Sequence, residues 1–322
     1  MSSPKVVICG AGFIGRHIAK AVVNSSHTAS KVQISSRHPQ RIWEAMNADP
    51  AIPNTRLLPP VPVDVTSSST LQEAFQDASI VVSLVGIMHG SPQDFERIQL
   101  RGAENVATVA KQAGAKLIHF SAIGADPASK IPYQRTKGLA ELSVLKIDPE
   151  ATIISPSIVF GPEDDFFNRF AELSKVMPFL PVFGGGQSRF QPVYVDDLAR
   201  LVELISRNEP TIQELVAGKI IEAGGPQVYT YRQLMEILLE TMGRRRPILS
   251  LPFSVGKFQG AVLERLPVNL FTVTRAQVEQ LKSDNIVNPK LPANHLSLHG
   301  ILSNFTNQPL RTVEEILPTY VH

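Results

Sequence analysis

The chain has 322 residues, 43% of them hydrophobic and 19% charged, which suits one large domain or two lobes burying a substantial core. The formal net charge of +2 is too small to argue for a nucleic-acid surface. The single cysteine, Cys9, allows no disulfide within the chain, which fits a reducing compartment, and it offers with eight scattered histidines no evident metal-ligand cluster.

The first strand opens at Lys5 with no signal peptide or Arg-rich presequence before it. That is the expectation for a protein that works where it is made, or whose targeting signal is not a presequence. From there, short β-branched runs alternate with helical stretches. "KVVICG" reads as a strand and "FIGRHIAKAVVN" as a helix; "KVQISS" is a strand; "TLQEAFQD" is a helix that Thr70 and Glu73 would open as a capping box. The apolar run "ASIVVSLVGIM" is about half a membrane span and reads as a buried strand. "DFERIQLRGAENVATVAKQAG" predicts a helix stopping at Gly114, followed by the strand "KLIHFS", the helix "YQRTKGLAELSVLK" and the strand "ATIISPSIVF". Non-alternating strands separated by helices predict an α/β fold, a doubly wound parallel sheet covered on both faces.

A soft boundary falls near residue 160, dividing a Rossmann domain over 1–160 from a smaller mixed lobe over 161–322 whose strands near 190–225 return to the first sheet. "FGGGQSRF" is a Gly-rich turn, "PVYVDDLARLVELI" a strand end and a helix with Asp196 and Asp197 as N-cap and first-turn acids, and "KIIEAGG" a further strand. Thr230 and Gln233 would cap the helix "YRQLMEILLETM". Val255, Phe258, Val262 and Leu266 recur at helical spacing, as a core-facing stripe would. Arg244 to Arg246 read as a solvated helix end, and "DDFFNRF" either lines a cleft between lobes, forms a docking surface or packs in the core.

Gly10, Gly12 and Gly15 form G-x-G-x-x-G between the first strand and the first helix, with Phe13 and Ile14 inside the motif. The first glycine permits a tight turn, the second lets a pyrophosphate approach the backbone, and the third lets helix and sheet pack closely. The helix N-terminus then offers free N–H groups to phosphates. NAD sites commonly end the second strand with an acid for the ribose 2′-hydroxyl. This chain has Ser36 and Arg37 there, and an arginine can hold a 2′-phosphate, so NADP(H) is favoured over NAD(H). Asp64 and Val65 follow the third strand, at the adenine side, and Leu84, Val85 and Gly86 end the fourth, beneath the cofactor.

Tyr133 and Lys137 are four residues apart and share a helix face. An ammonium beside a phenol lowers the phenol's pKa, and a tyrosine so tuned can pass a proton while a nicotinamide passes a hydride.

The segments "GAGFIG", "DVT", "SLVG", "QLRGAENV", "YQRTK", "PSIVFGPED", "PVYVDDLA" and "EAGGP" stand in the order of the short-chain dehydrogenase/reductase superfamily, and the chain resembles its extended or atypical members. "HFSAIGADP", "PSIVFGPEDDFFNRF" and "RFQPVYVDDLA" resemble one branch in particular, the nucleotide-binding accessory subunit of respiratory complex I and its bacterial relatives, over residues 5 to 290. The resemblance implies phosphate-loop roles for Gly10, Gly12 and Gly15, NADP selection by Arg37, the tyrosine–lysine pair at Tyr133 and Lys137, and closure over the nicotinamide by Pro156 to Ile158. It further implies a tightly held NADPH without turnover, complex I subunits as partners, peripheral membrane association at most, and the matrix side of the mitochondrial inner membrane. A cytoplasmic location is the alternative, and an accessory role in ubiquinone biosynthesis is a third reading of the same resemblance.

Several positions depart from active members. Ser121 sits at the end of the fifth strand, but the expected place of the catalytic hydroxyl, a little further on, is Ile123 or Gly124. The gap from Ser121 to Tyr133 is short, Cys9 replaces the first family glycine, Gln99 stands for a common asparagine, and Ser155 for an arginine. A missing donor to a developing oxyanion is worth about 3 kcal/mol in such sites. "YQRTK" therefore reads as a cofactor grip before a catalytic pair, with a reductase, epimerase or dehydratase using Tyr133, Lys137 and Ser121 as the alternative.

Overall fold

Strand β1 (Lys5–Cys9) sends Val6 and Ile8 into one hydrophobic cluster and Val7 and Cys9 into another, so both of its faces are buried. That two-sided burial is why the run is continuously apolar. The computed structural model describes residues 3–256 and 275–322. Strands β2 (Lys31–Ser36), β3 (Val61–Pro62), β4 (Ile80–Ser83), β5 (Lys116–Phe120) and β6 (Thr152–Pro156) follow in the first half of the chain. Later come β7 (Val159–Phe160), β8 (Leu180–Phe183), β9 (Arg189–Phe190), β10 (Val193–Tyr194), β11 (Ile220–Ala223), β12 (Tyr229–Thr230), β13 (Ile248–Leu251) and β14 (His295–Ser297).

Eight of these form one sheet in the order β14-β11-β6-β5-β4-β1-β2-β3, with every neighbouring pair parallel. The fold is the doubly wound α/β sheet that the alternating pattern predicts. One face is covered by the helices Phe13–Val23 and Val195–Ser206, through Ile18, Val22, Leu198 and Val202. The other is covered by Ser68–Phe75, Gly102–Gln112 and Pro132–Ile147, through Leu71, Val106 and Val144. Chain order reverses between β1 and β4, and this reversal is where such sheets leave a crevice at the strands' carboxyl ends.

A third cluster lies off the sheet, where Phe160, Phe167, Leu180, Leu234 and Leu238 pack between the helices Phe166–Val176 and Tyr231–Thr241 and the two-stranded ladder of β8 and β13. The chain beyond residue 160 is divided between these places. β11 and β14 pair into the main sheet and the helix Val195–Ser206 lies on it, whereas β8, β9, β12 and β13 form small ladders outside it.

Local details differ from the sequence reading in informative ways. The helix Ser68–Phe75 begins after Ser67, without a capping box at Thr70 and Glu73. Thr70 is instead the third helical residue, and its Oγ1 donates to Ser67 O and accepts from Asp64 N, bracing the loop before it. Asp196 and Asp197 both lie in the first turn, and Tyr194 takes the N-cap position. The box at Thr230 and Gln233 is formed on both sides. "ATIISPSIVF" divides into β6 and β7, and the stretch after Asp94 passes through a π-helical segment, Phe95–Arg101, before regular helix resumes. Val255 is exposed, and Phe258, Val262 and Leu266 lie outside the described residues.

Gly138 seats the helix Pro132–Ile147: a Cβ there would lie 2.5 Å from Pro127 N and 2.7 Å from the Asp126 carbonyl carbon. Backbone atoms cannot yield as a flexible side chain can. Gly138→Ala should therefore lose about 1–3 kcal/mol of stability to overpacking, although alanine is otherwise the better helix former by about 0.5–1 kcal/mol. Urea unfolding measures the sign, and a more stable variant would show that the turn at Asp126 moves freely.

Candidate functional site

The crevice begins at the first glycine loop. Gly10 has φ +128°, and its N–H donates to Ser35 O at 2.8 Å. A Cβ on Gly15 would lie 2.0 Å from Gly10 O, so only glycine lets the helix Phe13–Val23 start this close to β1. Gly12 differs: it is exposed, and nothing lies within 4 Å of where its Cβ would be. It is the N-cap and has no side chain to occupy the helix's first N–H groups. Open space over an uncapped helix N-terminus suits a phosphate. A pyrophosphate fits here on the residues themselves.

Every candidate position from the sequence lines a single cavity of about 1150 Å³: Gly10, Gly12, Phe13, Ile14, Gly15, Ser36, Arg37, Asp64, Val65, Leu84, Val85, Gly86, Ser121, Tyr133, Lys137, Pro156 and Ile158. At one end Arg37 and Asp64 are exposed. The Thr66 N–H and hydroxyl donate to Asp64 at 2.9 and 2.8 Å and, with Arg37 and Arg97 nearby, hold its carboxyl below the usual range. Arg97 was not singled out from the sequence. It enters the cavity wall from the π-helical segment, where a regular helical period does not tell which side chains share a face.

At the other end the buried Lys137 ammonium donates to Val85 O at 2.9 Å and to Phe120 O at 2.7 Å. Gln99 holds the helix beside it, donating to Tyr133 O and to Thr136 Oγ1, both at 2.9 Å. The Tyr133 ring meets Phe95 edge to face at 6.3 Å. Ser121 is buried beside Glu141, whose carboxyl burial raises against the opposing pull of Ser121, Ser155 and Lys137. Ser155 Oγ donates to Glu141 at 3.1 Å. Ser157 donates to both oxygens of Asn285, and Asn285 Nδ2 donates to Ile123 O, so a residue far along the chain closes this end. His295 is bonded to Glu222 at 2.7 Å, and no group of three metal-capable side chains occurs among the described residues.

Residues 6–218 match the model of the NAD dependent epimerase/dehydratase family. The chain belongs to that family. A subunit of Arabidopsis thaliana, NADH dehydrogenase [ubiquinone] 1 alpha subcomplex subunit 9, mitochondrial, is 31% identical over 70% of this chain. The chain spans 59% of that relative's length. A ceramide reductase of Caulobacter vibrioides is 26% identical over 77% of this chain and 73% of its own. A nucleoside-diphosphate-sugar epimerase structure from Staphylococcus aureus superposes with a TM-score of 0.71 over 98% of this chain and 99% of its own, at 17% identity, which speaks to the fold alone. Family membership makes the crevice a nucleotide-cofactor cleft.

Within it the tyrosine–lysine pair differs from the sequence expectation. Burial pushes the Tyr133 phenol up to about 12 instead of down, and the Lys137 ammonium is engaged by backbone carbonyls. Burial also lowers Lys137 to about 8, with Glu141 pulling the other way. His119, buried behind it, stays neutral, lowered to about 3 by burial and then by Lys137. Of the three phenylalanines in "DDFFNRF", Phe167 is core, while Phe166 and Phe170 face the cavity.

The lowered lysine has a consequence for stability. Between about 8 in the folded chain and 10.5 in the unfolded chain, the unfolded state binds the extra proton, so the contribution through Lys137 rises with pH across that window. Below it, the buried ammonium costs about 3 kcal/mol. The unfolding free energy of the wild type minus that of Lys137→Met should therefore increase by up to that amount as pH climbs through the window, measured by urea unfolding at stepped pH. A difference that stays flat would contradict the burial of a titrating ammonium.

Proposed function

We propose that the chain holds NADP(H) in this cleft as an accessory subunit of the complex I type, without turnover, associated peripherally at the matrix side of the mitochondrial inner membrane. The observation that carries the reading is the hydrogen bonding of Lys137, whose ammonium is committed to two backbone carbonyls. A proton donor for hydride chemistry works best with a pKa near the working pH. Lys137 is tied to Val85 O and Phe120 O, and burial shifts the Tyr133 phenol upward, away from that range. Ser121 lies deep in the cavity wall with its hydroxyl unpartnered, and Ile123 and Gly124 carry no hydroxyl. The relatives named as mitochondrial NADH dehydrogenase subunits supply the partner and the location. In the described residues no helix is long and apolar enough to cross a membrane, which suits peripheral attachment.

The NADP(H) preference rests on Arg37 beside Asp64, with Arg97 as a second cation. A bound nicotinamide would supply hydride transfer; the chain's own groups would bind its phosphates at Gly12, its 2′-phosphate at Arg37, and its ribose near Tyr133 and Lys137. A second reading is an NADP-dependent reductase, epimerase or dehydratase using Tyr133, Lys137 and Ser121. It is favoured by the ceramide reductase relative, which is matched over 73% of its length, more than the 59% of the Arabidopsis subunit.

Two measurements test the proposal. Arg37→Glu should weaken NADPH binding on the order of tenfold to a hundredfold, the worth of a charge-assisted bidentate contact, and leave NADH nearly unchanged in a fluorescence titration. Equal affinities in wild type and variant would remove the NADP(H) assignment. Tagged protein drawn gently from its own cells should run with complex I on a native gel and retain NADPH; a small species that exchanges nucleotide freely and loses turnover on Tyr133→Phe would establish the enzyme instead.

A further inference from the structure

The cavity is larger than one cofactor site, at about 1150 Å³ against roughly 300–1000 Å³ for a typical ligand pocket. Beyond Ser157 and Ile158 its wall changes character. The helix Phe166–Val176 and its C-cap present Phe166, Phe170, Leu173 and Met177 to the cavity, at intervals of four, three and four residues along one helical face. The face behind them carries Phe167, Ala171 and Ser174, all buried in the protein's own core. The helix is thus apolar on two sides: one is buried outright, and the other packs partly on the same cluster while fronting the cavity. Phe179, just before β8, and Phe183, at its end, extend the cavity-facing surface.

Asp165, Gln280 and Ser283 also line this end, and other polar residues there are engaged by the chain itself. Asp284 receives both the backbone N–H and the guanidinium of Arg189, at 2.6 to 2.9 Å. Asn285 is held by Ser157 and Ile123. Arg169, the cation among the described lining residues of this end, lies beside Tyr231. A sugar diphosphate placed here would lose water from many hydroxyl and phosphate oxygens and meet aromatic and aliphatic walls. A hydrocarbon chain would lose nothing of the kind.

We propose that the second half of the cleft binds an amphiphile with a long apolar chain, its polar head toward Tyr133 and its chain along Phe166, Phe170, Leu173 and Met177. The inference rests on the cofactor reading only for the direction of the head; the apolar wall stands independently. Acyl and isoprenoid chains share this chemistry, and the test separates them.

Octanol, decanol and dodecanol are titrated into the purified full chain by calorimetry, with and without NADPH, beside farnesol as the isoprenoid probe and UDP-glucose as the polar one. Affinity should rise on the order of tenfold for each two-carbon step, with a negative heat-capacity change, while UDP-glucose does not compete. A farnesol affinity above or below that of dodecanol assigns the chain type. Phe170→Asp and the milder Met177→Asp should each flatten the chain-length series while NADPH still binds; Lys175→Ala, on the exposed side of the same helix, should leave it unchanged. Affinity independent of chain length, no alcohol binding at all, or displacement of dodecanol by UDP-glucose overturns the proposal, even if NADPH binds normally. Loss of NADPH binding with the chain-length series intact would instead sink the cofactor reading alone.

Discussion

The site depends on one close approach, that of Gly15 to the carbonyl of Gly10. With no side chain between them, the first helix starts against the end of β1, and its uncapped N-terminus faces the crevice where chain order reverses. Any Cβ at Gly15 would force helix and strand apart, and with them the helix's contacts to Leu198 and Val202 across the sheet face. The open, uncapped end of the cleft and the packing of one whole layer therefore depend on the same close approach. The helix dipole and free N–H groups act only because the backbone is held at that distance.

The Tyr133 end of the cleft is governed by a different constraint, a buried ammonium. Lys137 satisfies its charge with the carbonyls that end β5 and follow β4, so it fastens the floor of the cleft while standing one helical turn from Tyr133. A lysine bound this way positions backbone well and tunes a neighbouring phenol poorly. The raised phenol and the Gln99 bonds to Tyr133 O and Thr136 Oγ1 fit a site organised to hold its own parts together. The third cluster and the aromatic stripe of Phe166 and Phe170 then enclose the remaining space, with Asn285 closing it from a distant part of the chain.

Much of the fold was legible because parallel strands buried on both faces leave an unmistakable record: "KVVICG", "SIVVSLVG" and "KLIHFS" are apolar without alternation, and each precedes a helical period. Local cap chemistry was legible where it competes with nothing, as at Thr230 and Gln233. It misled at Thr70, whose hydroxyl is drawn to Asp64 and Ser67 by the loop that precedes the helix. Arg97 escaped notice because the π-helical segment shifts which side chains point to the cleft. Asn285 escaped because nothing in its neighbours links it to Ser157, a partner 128 residues away.

By itself the sequence determined the doubly wound sheet, the glycine loop at its first turn, and the gathering of Arg37, Asp64, Tyr133 and Lys137 at one edge. Spacing and burial periodicity encode these because they are properties of short segments and of the strand order that short crossovers allow. Only the tertiary structure decided the protonation preferences of Tyr133 and Lys137, the burial of Ser121, and the apolar half of the cavity. Those depend on which carbonyls and carboxylates a buried charge meets, and on which apolar side chains of the third cluster also front the cavity. Both are set by contacts between segments far apart in the chain.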